Sequence, residues 1–241
     1  MKQIAKISGI AYVMIFISGF YANFAVLESL VDINNPSITT INFINNHSQF
    51  GNGLLGFVMM LFFDALLVWS LFDLTKIVSK KASFIASSFR LFHALFFGAA
   101  LFKLWEVYQL TFNASNSTAL QNIVAKLLLD FDTLWTVGLL FFGIHLIVLG
   151  YLALKSTYIP KALGVLLLLA AMGYIIDGTA KFMMSNYVEY KDVFEVIVIM
   201  PSVIGEFSFT VWLLIKGFKK HPDSERLLKM KPRAVNDIKK D

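Results

Sequence analysis

The chain has 241 residues, of which 57% are hydrophobic and only 15% are charged, with a net charge of +5 and no cysteine. The low charge and the recurring long apolar runs exclude an ordinary soluble domain and indicate a polytopic membrane protein, and the lack of cysteine excludes disulfides and thiolate sites. The basic residues flank the apolar runs and form no aromatic-interleaved patch, so they indicate membrane orientation and attraction to anionic lipid, not nucleic-acid binding.

Six apolar runs are long enough to cross a bilayer, which takes about 20 residues. The first run is too long for a signal peptide and no small-residue cleavage pattern follows it, so we expect it to be retained. The predicted spans cover residues 7–27, 50–74, 82–105, 133–154, 160–184 and 196–216. We therefore expect an all-α, six-transmembrane-helix bundle over residues 1–217 and a basic cytoplasmic tail over residues 218–241.

Two loops carry further helical signals. Three isoleucines recur at helical spacing in the polar loop 28–49 and predict a short surface helix there. Thr118 and Gln121 have the spacing of a capping box. The apolar face that follows, up to residue 131, predicts an interfacial helix that leads into the fourth span.

The distribution of basic residues predicts the orientation. They concentrate at both termini and in the loops between spans two and three and between spans four and five, whereas the opposite loops hold few. The positive-inside rule then places both termini in the cytoplasm. The bilayer is thus the expected partner, with anionic lipid as a possible partner of the basic tail.

Five ionisable side chains lie near the middle of the predicted spans. A helical rise of ~1.5 Å per residue puts each of them ~14–18 Å from the nearest basic residue at the cytoplasmic ends. Because the hydrocarbon core is ~30 Å thick, they share one level near its centre. They are Asp64, Arg90, His93, His145 and Glu206. A sixth, Asp177, lies in the outer half and has i, i+4 spacing to Lys181, which predicts a helix-stabilising pair.

The predicted contacts follow from the order of the spans. Spans two and three are consecutive and antiparallel, so Asp64 and Arg90 are the most natural ion pair. Glu206 also needs a partner at that depth, and we expect it to face His145, His93 or Arg90.

A proline interrupts the sixth span beside its carboxylate. Pro201 lacks a backbone N–H and frees the carbonyl about one turn earlier, near Ile197. Together with Gly205, it loosens the helix next to Glu206, where a binding site would need access to the backbone.

The six ionisable residues are the predicted ligand-binding residues, and three functions remain open. A polar layer beside a broken helix is typical of a site that binds or passes a small ligand, a lipid headgroup or a proton. The same charges can be purely structural, in a scaffold or accessory protein, because buried polar networks fix helix register. Two histidines and acidic residues can also hold a metal ion for hydrolysis, although no HExxH-like pair exists. We expect no cofactor and no resident metal.

Several stretches resemble a known family in their order and spacing. They are Phe89-Arg90, FFGIH ending at His145, IPKALGVLL from Ile159, GYIID ending at Asp177, and Gly205-Glu206 followed by WLLIKG from Trp212. The family is a bacterial group of small integral membrane proteins catalogued as domain of unknown function 4386. The resemblance covers nearly the whole chain. It implies six helices and a location in the bacterial cytoplasmic membrane, and it implies no reaction. The family residues matched in this chain are Asp64, Arg90, His145, Asp177 and Glu206.

Overall fold

A computed structural model describes residues 1–32 and 34–219, and within these ranges the chain is all-helical. The helices are α1 (Lys2–Leu30), α2 (Pro36–Asn45), α3 (His47–Thr75), α4 (Lys80–Thr111), α5 (Thr118–Lys155), α6 (Lys161–Met183) and α7 (Lys191–Phe218), with a 3₁₀ turn at Tyr187–Tyr190. All of them except α2 are long and apolar enough to cross a membrane. The predicted six-span, all-α fold is therefore confirmed, whereas nearly all of the predicted basic tail lies outside the described residues.

Side chains cap the starts of three of these helices, α2, α4 and α5. Asn35, Ser79 and Ser117 each accept a hydrogen bond from a backbone N–H of the helix that follows, at 3.2–3.3 Å. These bonds satisfy amide donors that have no partner inside the helix. The cap of α5 is Ser117, one residue before the predicted Thr118. Helix α6 begins after Pro160, as predicted.

Of the two helices predicted in the loops, one is present as a separate helix and the other is not. The predicted surface helix is present as α2 (Pro36–Asn45). Residues 118–131, which we expected to form an interfacial helix, are the first part of one continuous 38-residue helix, α5. The sequence also gave no sign that α1 widens into a π-helix over Tyr21–Leu27.

The six spans form a closed ring. Each span packs against the spans next to it in the chain, and α7 packs against α1 to close the ring. Lys2 Nζ donates to the carbonyl of Lys219 at 3.0 Å, so both ends of the described chain lie together. We call this the termini end and the other the opposite end.

The turn between α5 and α6 is also tied to the termini end. The hydroxyl of Tyr158 in this turn donates to the carbonyl of Leu74 near the end of α3 at 2.7 Å. Partial burial raises the pKa of Tyr158. The hydroxyl therefore stays protonated and able to donate at physiological pH.

Two apolar cores fill the ring, one toward each end. The core at the termini end contains Leu74 and Leu213, and the other contains Phe43 and Leu104. On α3, Asp64 lies between Phe57 of one core and Leu67 of the other. The buried ionisable side chains, which are Asp64, Arg90, His93, His145 and Glu206, thus form a polar layer between the two cores.

Candidate functional site

Arg90 on α4 is the centre of the polar layer. Its side chain is 1% exposed, and its Nη2 donates to Asp64 Oδ1 on α3 at 2.6 Å. The pair predicted from depth alone is therefore confirmed. A charge-assisted bond of this length is what a buried guanidinium needs to offset the loss of its hydration.

The other terminal nitrogen of Arg90 reaches two more helices. Nη1 donates to the hydroxyl oxygen of Tyr12 on α1 and to Nε2 of His145 on α5, both at 3.2 Å. A single guanidinium thus connects four of the six spans. Such a connection fixes the rotation of these helices relative to one another.

The contacts of His145 determine where its proton lies. Its Nδ1 is 2.8 Å from the carbonyl oxygen of Ala86, which can only accept a hydrogen bond. Its Nε2 faces Arg90, which can only donate. His145 is therefore a neutral imidazole with the proton on Nδ1, and its role here is to position Arg90.

His93 completes the cluster without a direct bond to its acidic neighbour. Its Nε2 lies 3.8 Å from Asp64 Oδ2, which is beyond hydrogen-bond distance. Among the described residues, four buried side-chain polar atoms have no partner, and three belong to this cluster. They are Asp64 Oδ2, Arg90 Nε and His93 Nδ1. Buried polar atoms are rarely left unpaired, so this concentration sets the cluster apart from the rest of the described interior.

Glu206 lies near the cluster but has a different partner from the expected ones. Its Oε1 accepts a hydrogen bond from the hydroxyl of Tyr174 on α6 at 2.9 Å. Among the described residues, neither a histidine nor Arg90 makes a hydrogen bond or ion pair with Glu206, because α6 supplies a phenol at this level. Glu206 itself is 7% exposed, so it faces the inside of the ring as predicted.

Helix α7 runs without a break through Pro201, and the carbonyl that this proline frees lies at a close helix contact. A Cβ added to Gly173 on α6 would lie 2.7 Å from the carbonyl oxygen of Ile197. This is the carbonyl that Pro201 leaves without its usual helical donor. Only glycine lets α6 approach it this closely, and the resulting contact brings Tyr174, the next residue, toward Glu206.

A cavity of about 240 Å³ begins at the polar layer and extends toward the opposite end. All six spans contribute to its wall, which is mainly aromatic and aliphatic. Asp64, Arg90, His93 and Glu206 line its polar end, and Phe24 and Asn23 in the π-helical part of α1 line the other. π-Helical segments occur frequently at functional sites.

The cavity opens sideways between α1 and α7. Phe20, Phe24, Ile199 and Val203 all line it, and each is at least 40% exposed. On α1, Phe20 and Phe24 continue the exposed stripe that begins at Ile10, at helical spacing. In a membrane, such a stripe faces the acyl chains, so the opening leads into the bilayer.

Asp177 is the predicted site residue that the structure does not bring into this cluster. Its carboxylate accepts a hydrogen bond from the hydroxyl of Tyr187 at 2.6 Å, near the opposite end. The expected Asp177–Lys181 pair is wrong, because Lys181 Nζ binds Asp132 on α5 at 2.6 Å instead. Lys181 thus pairs with a residue of a neighbouring helix instead of with the residue four positions earlier in its own helix.

The donor set does not suit a metal ion. Within the described part of the chain, no group of three or more histidine, aspartate or glutamate side chains is arranged to hold one. Both nitrogens of His145 are engaged, and the positive charge of Arg90 adjoins His145 and Asp64. A metal ion held between His145 and Asp64 would lie directly against the guanidinium, which would repel it.

Two residues of the site were missed from the sequence. Tyr12 and Tyr174 look like ordinary apolar positions of a span, yet their hydroxyls bind Arg90 and Glu206. A usable signal does exist. A phenol well inside a span needs a hydrogen-bond partner, so these tyrosines could have been placed with the ionisable groups.

The family catalogued as domain of unknown function 4386 matches residues 7–217. The chain belongs to this family. An uncharacterised protein of the archaeon Archaeoglobus fulgidus is 33% identical over 183 residues, which cover 76% of this chain and 94% of that protein. No solved structure matches. The resemblance stated above is therefore confirmed, while a bacterial origin stays a prediction because this relative is archaeal.

Proposed function

We propose that this multi-pass membrane protein binds a small amphiphilic molecule within the bilayer. The apolar part of the molecule would lie in the cavity, and its polar end would lie at the layer formed by Asp64, Arg90, His93 and Glu206. The observation that carries the proposal is the cavity itself, which opens at one side between exposed apolar residues and ends at four buried ionisable side chains, three of which carry a polar atom without a partner. A concave apolar site with a few convergent polar groups is the usual form of a small-ligand site.

Tryptophan fluorescence can test this proposal directly, because Trp135 lines the cavity. In a variant with Trp69, Trp105 and Trp212 replaced by phenylalanine, a brominated octanol should quench the remaining fluorescence in a saturable way. Val203→Phe, at the opening, should weaken this quenching by about tenfold or more, because one well-placed steric clash costs more than ~1.4 kcal/mol.

Ile204→Phe is the matched control, because Ile204 is the next residue of α7, is 50% exposed and does not line the cavity. It should leave the quenching unchanged. Quenching that rises linearly with the probe and is equal in the two variants would show that the probe only partitions into lipid, and the proposal would be wrong.

A second candidate function is structural. Arg90 joins four spans through three side-chain hydrogen bonds, as the core of a scaffold or accessory subunit would. This candidate accounts for the ion pair but gives no role to the cavity. We therefore rank it second.

We further propose that the termini end faces the cytoplasm. The described lysines at that end lie beside apolar helix surface, where anionic headgroups attract them. They are Lys2, Lys6, Lys76, Lys80, Lys81, Lys155, Lys161, Lys216 and Lys219. If the source is a bacterium, the membrane is the cytoplasmic one.

A further inference from the structure

When Glu206 is ionised, the polar end of the cavity carries one negative charge in excess. Asp64 and Glu206 contribute two carboxylates, and Arg90 contributes one guanidinium. The contacts of His145 require a neutral ring, and a second positive charge on His93 would lie one helical turn from Arg90, which is unfavourable. The carboxylate of Asp64 is matched by Arg90, so the charge of Glu206 is the one without a cationic partner within the ion-pair distance.

The walls of the cavity suit a cation as well. Phe16, Phe57, Trp135 and Tyr174 line it, and aromatic faces attract cations, most strongly when both are desolvated. The protein already uses this interaction next to the cavity, because Cζ of Arg90 lies 5.2 Å from the ring centroid of Tyr12. A second cation beside Glu206 would find the same environment.

We infer that the amphiphile bound here is a cation, with an ammonium group near Glu206 and an apolar tail directed toward the opening between α1 and α7. This inference rests on the proposed function and specifies its ligand class. An anionic amphiphile would face the excess carboxylate, and beside a neutral one Glu206 would have to hold a proton instead of a counter-ion. A zwitterionic lipid headgroup would bring its own negative charge to the same place.

Four ligands that share an eight-carbon chain and differ in headgroup distinguish a cationic ligand from a neutral, an anionic and a zwitterionic one. Octylamine, octanol, octanoate and octylphosphocholine compete with the brominated octanol for quenching of Trp135 at neutral pH, where an alkylammonium is charged as lysine is. Octylamine should compete at least about tenfold better than the other three, since a desolvated charge pair exceeds ~1.4 kcal/mol.

Two glutamates on α7 provide a matched pair of variants. Glu206→Gln keeps an acceptor for Tyr174 but removes the charge, so octylamine should lose its advantage while octanol binds within about twofold of wild type. Glu195→Gln removes a charge from the same helix outside the cavity, where Glu195 pairs with Lys191 at 3.2 Å. It should leave the preference for octylamine intact.

The outcomes distinguish this inference from the proposed function. If octanol, octanoate or octylphosphocholine competes as well as octylamine, and Val203→Phe still weakens it, then the cavity binds amphiphiles but the inferred charge is wrong. An octylamine preference that survives Glu206→Gln also overturns the inference. If no ligand shows competition that depends on Val203, both the inference and the proposed function are wrong.

Discussion

Arg90 has one carboxylate, one phenol and one imidazole around it, and only the carboxylate balances its charge. Removing either partner of the Asp64–Arg90 pair leaves a charge buried without compensation, which typically costs ~3–5 kcal/mol. Asp64→Asn and Arg90→Gln should each lower the free energy of unfolding in mixed micelles by that amount. The double variant should be less destabilised than the sum of the two, because it leaves no orphan charge.

The Asp132–Lys181 pair is a control for this measurement, because its oxygen–nitrogen distance is also 2.6 Å but its side chains are 44% and 27% exposed. Asp132→Asn and Lys181→Gln should each cost less than ~1 kcal/mol, since water screens exposed pairs. If the Asp64–Arg90 double variant lost as much free energy of unfolding as the two single variants together, these residues would not stabilise the protein through their contact with each other. That result would also count against the structural candidate.

At the residue scale, the most informative property was the depth of each ionisable residue in the membrane, which follows from counting residues along its span. Counting residues from the flanking lysines placed Asp64 and Arg90 at one level, and the structure joins them. Counting could not decide which partner Glu206 faces, because depth says nothing about rotation around the helix axis. The phenol of Tyr174 was therefore missed, although it lies at the right level.

At the element scale, the close contact between α6 and α7 depends on the lack of a side chain at Gly173. Gly173→Ala would push a Cβ against the Ile197 carbonyl at 2.7 Å and the Cα of Val198 at 3.2 Å, and both are backbone atoms that cannot rotate away. We expect a loss of ~1–3 kcal/mol in the free energy of unfolding, as for other overpacked cores. The backbones of α6 and α7 would have to move apart, and Tyr174 would move with α6. Quenching of Trp135 by the brominated octanol should therefore weaken.

Gly98→Ala is the control for this substitution. A Cβ on Gly98 would meet Leu61 Cδ2 at 3.6 Å, which is ordinary van der Waals contact. This variant should be neutral or more stable by up to ~1 kcal/mol, because alanine favours the helix. If both substitutions lowered the free energy of unfolding equally, the loss would not come from the close contact at Gly173.

The sequence could predict the number of elements better than their local shape. Pro201 predicted a freed carbonyl near Ile197, where α6 in fact approaches, although α7 continues through the proline without a break. The π-helix of α1 has no comparable signal, because no proline lies between Tyr21 and Leu27. The cavity could not be predicted either, since it arises from how six spans diverge around the polar layer.

At the scale of the whole molecule, the ring joins an even number of spans, so its two termini share one side of the membrane. The lysines at the termini end predict that this side is the cytoplasm. The chain contains no cysteine, so single cysteines can be labelled in an otherwise unreactive protein. Ile77 in the turn after α3 and Ser115 in the loop before α5 are both exposed and lie at opposite ends.

A membrane-impermeant maleimide should label Ser115→Cys in intact cells and should label Ile77→Cys only after the membrane is opened. The reverse pattern would invert the orientation, and the cavity would then extend from the polar layer toward the cytoplasm. Labelling of both positions in intact cells would contradict a six-span topology itself. With the predicted orientation, the opening between α1 and α7 lies in the outer half of the bilayer, so an amphiphile would reach Glu206 from the outer leaflet.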